Sequence, residues 1–298
     1  MDPITHTLTG IAVKQAGLHR RSALLIVVLA SLLPDIDYIT RLWGTDVLLR
    51  YHRGITHSIF ALFTFSLLFG LSFKSRCGFF YAFTLTFICY GLHILFDLTN
   101  QYGTRVLAPL DWNAYGLDLT FIIEPWITIP LLISFIAGRL NKKRAQAIAL
   151  LTFLLIAGVL TIRYSLQGEA KAFLKQKIDA NIYRVYPIPN DFLTWSFLTK
   201  TPEGVNIGMV DLFSKRVAVV ETFNRPQSDP LIEASKRSPV VQNFLYFAKY
   251  PYAEVLRKNG NVLVLWRELS FAYIAGNRFS VVVEFDKNGN VKAARFKI

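Results

Sequence analysis

Six apolar runs separated by short polar or basic breaks fill the first 162 residues. Residues 3–18 form a short, mildly apolar segment, and 22–38 is apolar until Pro34-Asp35-Ile36-Asp37. After a polar 39–57 connection come 58–73 and 79–98, divided by the basic turn Lys74-Ser75-Arg76. A loop rich in Asp, Asn and Gly covers 99–120, and 121–137 and 145–162 close the series with Arg139, Lys142, Lys143 and Arg144 between them. Several runs fall short of the ~20 residues that a full crossing needs, so some are expected to be tilted, buried in the bundle or partly inserted. The pattern predicts a mainly α membrane protein, a helical transmembrane bundle of about five to six helices, some short.

From about residue 165 the pattern changes. Residues 168–178 read as a basic linker helix, whereas 191–197, 205–213 and 217–223 show the mixed alternation of strands. Residues 230–250 have helical stretches broken by Pro239. Asn259-Gly260-Asn261 and Asn288-Gly289-Asn290 each separate two apolar runs, 252–256 from 262–267 and 279–285 from 291–296, which signals two hairpins. The expected organisation is a helical membrane domain over 1–164 followed by a small α+β extramembrane domain over 165–298. No nucleotide-binding loop, Cys-rich metal pattern or internal repeat occurs.

Composition agrees with a membrane location: 53% of the 298 residues are hydrophobic and the mean hydropathy is +0.36. The net charge of +13 does not call for nucleic acid, because much of it lies in clusters beside apolar runs, where topology-setting charges are placed. No nucleic-acid partner is expected. The two cysteines, Cys77 and Cys89, imply no disulfide framework. The N-terminus lacks the pattern of a cleaved signal peptide, so the first segment is expected to be retained.

Basic clusters also orient the chain. His19-Arg20-Arg21, Lys74-Ser75-Arg76 and the cluster from Arg139 to Arg144 follow alternate segments, so one orientation puts all three on the cytoplasmic side. That leaves the N-terminus, 34–57, 93–120 and everything after 163 outside. His6, Asp35, Asp37, His52, His57, His93 and Asp97 then collect at one face, although the charge rule takes no account of metal ligands.

These side chains carry the candidate chemistry. All five histidines lie within the first hundred residues, four of them, His6, His52, His57 and His93, on the face opposite the basic clusters, and imidazoles and carboxylates at a membrane edge are costly unless they bind or react with something. His93 and Asp97, at i and i+4, share one helical face and can grip one ion. Mixed carboxylate oxygen and imidazole nitrogen suits Zn, Mn or Fe, so the expected metal ligands are His6, Asp35, His52, His57, His93 and Asp97. A bridging carboxylate could hold two ions ~3.5–4 Å apart and activate a shared water. Asp37 or an unligated histidine, His57 among them, would act as base or orienting partner, and Arg53 could pair with a phosphate. Asp111, Asp118 and Glu124 are second-line ligands. Each motif also has a structural reading: Asp35 could cap a helix end, Thr56 or Ser58 could cap the next helix, and Arg53 could serve as a topology or headgroup charge.

Thr5-His6-Thr7-Leu8-Thr9-Gly10, Pro34-Asp35-Ile36-Asp37, His52-Arg53-Gly54-Ile55-Thr56-His57-Ser58 and Gly91-Leu92-His93 through Asp97 resemble the motifs of the YdjM-like and YfhP-like membrane-bound metal-dependent hydrolases. The resemblance covers about residues 1–165 and implies a helical membrane domain with hydrolase activity. The order of groups also resembles zinc-dependent phospholipase C. By that likeness Asp35, one of His52 or His57, His93 and Asp97 would hold one metal, and His6 would reach a second bridged by Asp97. The soluble enzymes have further His and Glu ligands downstream, whereas no histidine follows His93 here. One or two ions are therefore expected.

The function expected from these features is metal-dependent hydrolysis of a phosphoester in a membrane lipid or lipid-linked substrate, by a metal-activated water, at the outer face of a bacterial-type inner membrane. The rivals are an amide or peptide hydrolase and a non-enzymatic metal-stabilised membrane scaffold whose C-terminal domain binds a partner. A metal position left open by the protein would favour an enzyme, and a closed one the scaffold.

Overall fold

Asp2 starts the first helix, accepting hydrogen bonds from the Ile4 and Thr5 amides ahead of Pro3 in α1 (Pro3–Gln15). The computed structural model describes residues 1–224, 229–258, 261–273, 279–286 and 289–297. After α1 comes α2 (Ala23–Leu32), and where Pro34 removes a donor the chain tightens into a 3-10 segment, Leu33–Trp43. The helices that follow are α3 (Thr45–Tyr51), α4 (Ile59–Ser72), the short α5 (Lys74–Cys77), α6 (Phe79–Leu98), α7 (Pro125–Leu140) and α8 (Ala145–Lys177). Ser58 caps α4 by accepting from the Ala61 amide at 3.1 Å.

Three helices are long and apolar enough to cross a membrane, Ala23–Trp43, Phe79–Leu98 and Ala145–Lys177, or up to four if the bent pair Thr45–His57 and Ile59–Ser72 counts as one span. α1 and α7 fall short of that length. The stretch 168–178, read from sequence as a separate linker helix, instead continues α8 without a break, because nothing in it stops a helix before Lys177. Inside the 39–57 connection lies α3, which its charged residues hide from a periodicity reading.

The chain forms two compact units. The first comprises Met1–Asp37, Arg53–Gln167 and Pro187–Phe192, and the second Tyr38–His52, Gly168–Tyr186 and Leu193–Ile298. The 38–52 stretch, placed by sequence within the membrane domain, thus clusters with the second unit.

In the first unit, Ile26, Val27 and Ala30 of α2 pack with Ala82, Leu85 and Cys89 of α6, while Leu8 and Ala12 of α1 meet Ile127 and Leu131 of α7. Gly10 sets the spacing of α1 and α2: a Cβ there would lie 2.3 Å from Ser31 Oγ and 2.8 Å from the Val27 carbonyl oxygen. Arg163 of α8 is fully buried, its guanidinium donating to the Leu119 carbonyl at 3.2 Å and Glu124 Oε1 at 3.3 Å and lying 4.5 Å from the Phe192 ring centroid. Both cysteines are free.

The second unit carries two antiparallel four-stranded meanders in sequential order. The first is β1 (Ile182–Pro187), β2 (Thr194–Lys200), β3 (Gly204–Asp211) and β4 (Arg216–Asn224). β1 was not anticipated from sequence, and β2 begins three residues later than the expected 191–197. Then come α9 (Pro230–Ser235) and α10 (Pro239–Phe247), with Pro239 opening α10 at a position where its missing N–H costs nothing. The last sheet is β5 (Pro251–Lys258), β6 (Asn261–Glu268), β7 (Ser280–Phe285) and β8 (Val291–Lys297). The expected hairpin partners pair as read, β5 with β6 and β7 with β8; of their turns, 259–260 and 287–288 lie outside the described residues. Val241 and Phe244 pack on Val264, Trp266, Val281 and Val283, and Trp266 Nε1 donates to Ser235 Oγ at 2.9 Å.

α3 belongs to this unit through α10. Arg50 donates to Asn243 Oδ1 at 3.2 Å and lies 4.8 Å from the Tyr246 ring centroid, while Asn243 Nδ2 donates to Asp46 at 2.7 Å. One amide thereby uses both its acceptor and its donor on one short helix. In the first unit, Gly10→Ala should force α1 away from α2 at a cost of ~1–3 kcal/mol, the range for overpacking a close contact; an unchanged thermal unfolding temperature in detergent would show that the helices do not approach this closely.

Candidate metal centre

α6 contributes the first two donors. His93 and Asp97, one turn apart, are both buried and face the same way, their Nε2 and Oδ2 3.5 Å apart. Two other elements bring the rest: the 3-10 segment Leu33–Trp43 supplies Asp35 and Asp37, and a 3-10 turn, Ile55–His57, supplies His57 just before α4. His57 Nε2 lies 3.2 Å from His93 Nε2, 3.3 Å from Asp97 Oδ2 and 3.4 Å from Asp35 Oδ1, and His93 Nε2 lies 3.7 Å from Asp35 Oδ1. Asp35, His57, His93 and Asp97 each offer one donor atom within 4.8 Å of the others.

Five of the six spacings among these atoms are 3.2–3.7 Å, and the sixth, between Asp35 and Asp97, is within 4.8 Å. A regular tetrahedron with edges of about 3.4 Å has its centre ~2.1 Å from each corner, the distance at which nitrogen and oxygen hold zinc. The tautomers fit as well. His93 Nδ1 lies 2.7 Å from the Ser31 carbonyl oxygen, which can only accept, so Nδ1 carries the hydrogen and Nε2 presents a lone pair. His57 Nδ1 faces Thr56 Oγ1 at 3.1 Å and Asp37 Oδ2 at 3.5 Å, both of which can accept. Its Nε2 is then a lone pair as well, and Asp97 Oδ2 has no hydrogen-bond partner among the described residues. One shared proton would relieve one pair of these atoms, whereas a divalent ion answers all four.

Asp37 lies beside this group. Its Oδ2 accepts from the Arg53 amide at 3.0 Å and from the Thr56 hydroxyl at 2.8 Å while facing His57 Nδ1. That is the geometry of a carboxylate orienting a ligating imidazole. Arg53 has a left-handed backbone, φ 57°, uncommon for a residue with a side chain. This conformation sends its amide to Asp37 and its guanidinium to Asp97, where Nη2 lies 2.9 Å from Oδ1. Arg53 is 3% exposed, so it faces a carboxylate rather than an open surface.

His6 sits on the other side of Asp97. Its ring stacks on His93 with centroids 3.6 Å apart, and its Nε2 is 3.4 Å from Asp97 Oδ1. It is not one of the four donors, and both its nitrogens lack a hydrogen-bond partner among the described residues. The Met1 amine also contacts Asp97 Oδ1. His52 belongs to the second unit, at the C-terminal end of α3, where its ring meets Tyr38 edge-on at 4.7 Å. The second-line acids have other occupations: Glu124 pairs with Arg163, half-buried Asp111 accepts from Tyr115 and Asn113, and buried Asp118 gives its carbonyl to Gln167. Hydrogen bonding to Tyr115 lowers the pKa of Asp111.

Sequence reading missed three supports. The Ser31 carbonyl carries no sequence signal, since every residue has one. Thr56 stood in the motif but was read as a cap, and Tyr90, whose hydroxyl donates to the Thr56 carbonyl, looks like any aromatic in an apolar run.

Comparison with known proteins gives three findings. The model of the YdjM inner membrane protein family matches residues 1–169, and that of the YfhP C-terminal alpha/beta plait domain matches residues 230–297. The chain is 28% identical over 267 residues to a protein named "Uncharacterized protein YfhP" from Bacillus subtilis (strain 168), covering 83% of this chain and 80% of that one. No solved structure matches.

Removing a corner and removing a support should differ in the metal content of purified protein. Asp97→Ala is expected to abolish binding, and Asp37→Asn to weaken it ~10–100-fold, the usual effect of losing an orienting partner. Equal zinc affinity in Asp97→Ala and the wild type would rule out this centre.

Proposed function

The chain belongs to the YdjM inner membrane protein family, and from that premise we propose that it is a membrane-bound, metal-dependent hydrolase of a phosphoester in a lipid or lipid-linked substrate. The observation that carries this reading is the four-donor group of Asp35, His57, His93 and Asp97 at the ends of apolar helices. A divalent ion there, zinc by preference with manganese or iron as alternatives, would supply Lewis acidity and a water nucleophile near neutral pH.

The chain's own residues divide the remaining work. Asp37 and Thr56 hold His57 in its ligating tautomer, and the Ser31 carbonyl does so for His93. Arg53 fixes the Asp97 carboxylate. Asp35 is the most accessible corner, its side chain 13% exposed against 0–1% for the other three. It is therefore the donor able to give way to a substrate oxygen. A phosphoester is preferred over an amide because phospholipid headgroups are the abundant ester at that depth of a membrane.

Four protein donors around one centre also favour a second reading, a closed structural metal that stabilises a membrane scaffold. Turnover separates the two. Metal-loaded protein in lipid nanodiscs should release phosphate or a headgroup from phospholipid or lipid-phosphate substrates, and lose this on chelation. Cleavage confined to amide substrates would favour the amide hydrolase, and loss of thermal stability on chelation without any turnover would favour the scaffold.

The same proposal places the site and the C-terminal domain on the outer side of a multi-pass inner membrane protein, because the basic clusters then all face the cytoplasm. Reporter fusions in the 99–120 loop should register the outside, and fusions between Arg139 and Arg144 the inside; the reverse pattern would overturn this orientation.

A further inference from the structure

The two oxygens of Asp97 have different surroundings. Oδ2 faces the nitrogens of His57 and His93, whereas Oδ1 faces Arg53 Nη2 at 2.9 Å, His6 Nε2 at 3.4 Å and the Met1 amine. In a centre where one carboxylate bridges two ions, the second ion would occupy the Oδ1 side, ~3.5–4 Å from the first. That side already holds a guanidinium.

We propose that Arg53 is a built-in second cation, and that this centre therefore holds one divalent ion with the Oδ1 side of Asp97 closed to metal. The inference rests on reading the four-donor group as a metal centre and goes beyond it in fixing the count. Arg53 is braced for the task. Its amide is tied to Asp37, its carbonyl accepts from the Arg105 amide at 2.9 Å, and its guanidinium lies 4.9 Å from the Tyr102 ring centroid. Its left-handed backbone is one that residues adopt where surrounding contacts over-determine it, often at functional sites. A guanidinium cannot lose its proton to make room for metal, as a lysine or histidine could.

The consequence for His6 is that it is a donor without an ion. It is buried, stacked on His93 and free of hydrogen bonds among the described residues, so it is available to a second ion only when Arg53 is gone.

Native mass spectrometry and elemental analysis of the full chain in detergent with excess zinc test this directly. One ion per chain is expected for the wild type and, at a pH low enough for the amine to keep its proton, for Arg53→Lys, which then keeps the charge. Arg53→Met should take up a second, weaker ion, and the double variant Arg53→Met/His6→Ala should return to one. Two ions in the wild type would overturn the role given to Arg53 while leaving the metal centre standing, and none would overturn the centre itself. A folded Arg53→Met that stays at one ion would show that Arg53 is not what excludes the second. Should Arg53→Met fail to fold, the counts for the wild type and Arg53→Lys decide the matter.

Discussion

The carboxylate of Asp97 is held between a guanidinium and three imidazoles where almost no water reaches it. An ionised group in such a place loses several kcal/mol of hydration, on the order of the cost of any buried ion, unless charge and hydrogen bonds replace it. Asp35 and Asp37 add two more carboxylates, against the guanidinium of Arg53 as the cation. With the imidazoles in their neutral, lone-pair-donating form, this leaves negative charge in excess. The helices around it must therefore converge tightly enough to hold the compensating groups in register.

That convergence depends on small residues and on backbone acceptors. Gly10 lets α1 approach α2 at Ser31, and the carbonyl of Ser31 receives His93 Nδ1. One short stretch of α2 thus sets both the spacing that brings in His6 and the tautomer of a ligating histidine. Pro34 immediately follows, ending the α-helix and turning the chain into the 3-10 geometry that presents Asp35 and Asp37. The site is built from how these helices end as much as from the residues at their ends.

Much of this is legible in the sequence where one element decides the outcome. The i, i+4 pair His93 and Asp97 needs only a helix, and the strands β3 to β8 follow from alternation and Asn-Gly turns. Choosing between His52 and His57 was not possible, since both stand in one short motif and only the fold brings His57 Nε2 to His93 and Asp97. His6 was expected at a second ion bridged by Asp97, and it does face Asp97, at Oδ1 rather than at the oxygen turned to His57 and His93, which a one-dimensional reading cannot tell. Glu124 stood as a second-line ligand because its partner, Arg163, is 39 positions away in an apolar run. β1 was missed for a related reason: only its last three residues are buried, so the alternation is too short to register.

The bond between α3 and α10 bears on the order in which the protein can be made. Arg50 and Asn243 are 193 positions apart, and Asp46 and Asn243 are 197. A growing chain emerges at ~5–20 residues per second, so α3 leaves the ribosome roughly ten to forty seconds before its partner exists. In that interval the segment leading into His52 and Arg53 has no α10 to rest on. The final geometry of this stretch is thus reached late, after the apolar helices that follow it have been synthesised, and any cut that removes the last sixty residues leaves it permanently in its early state.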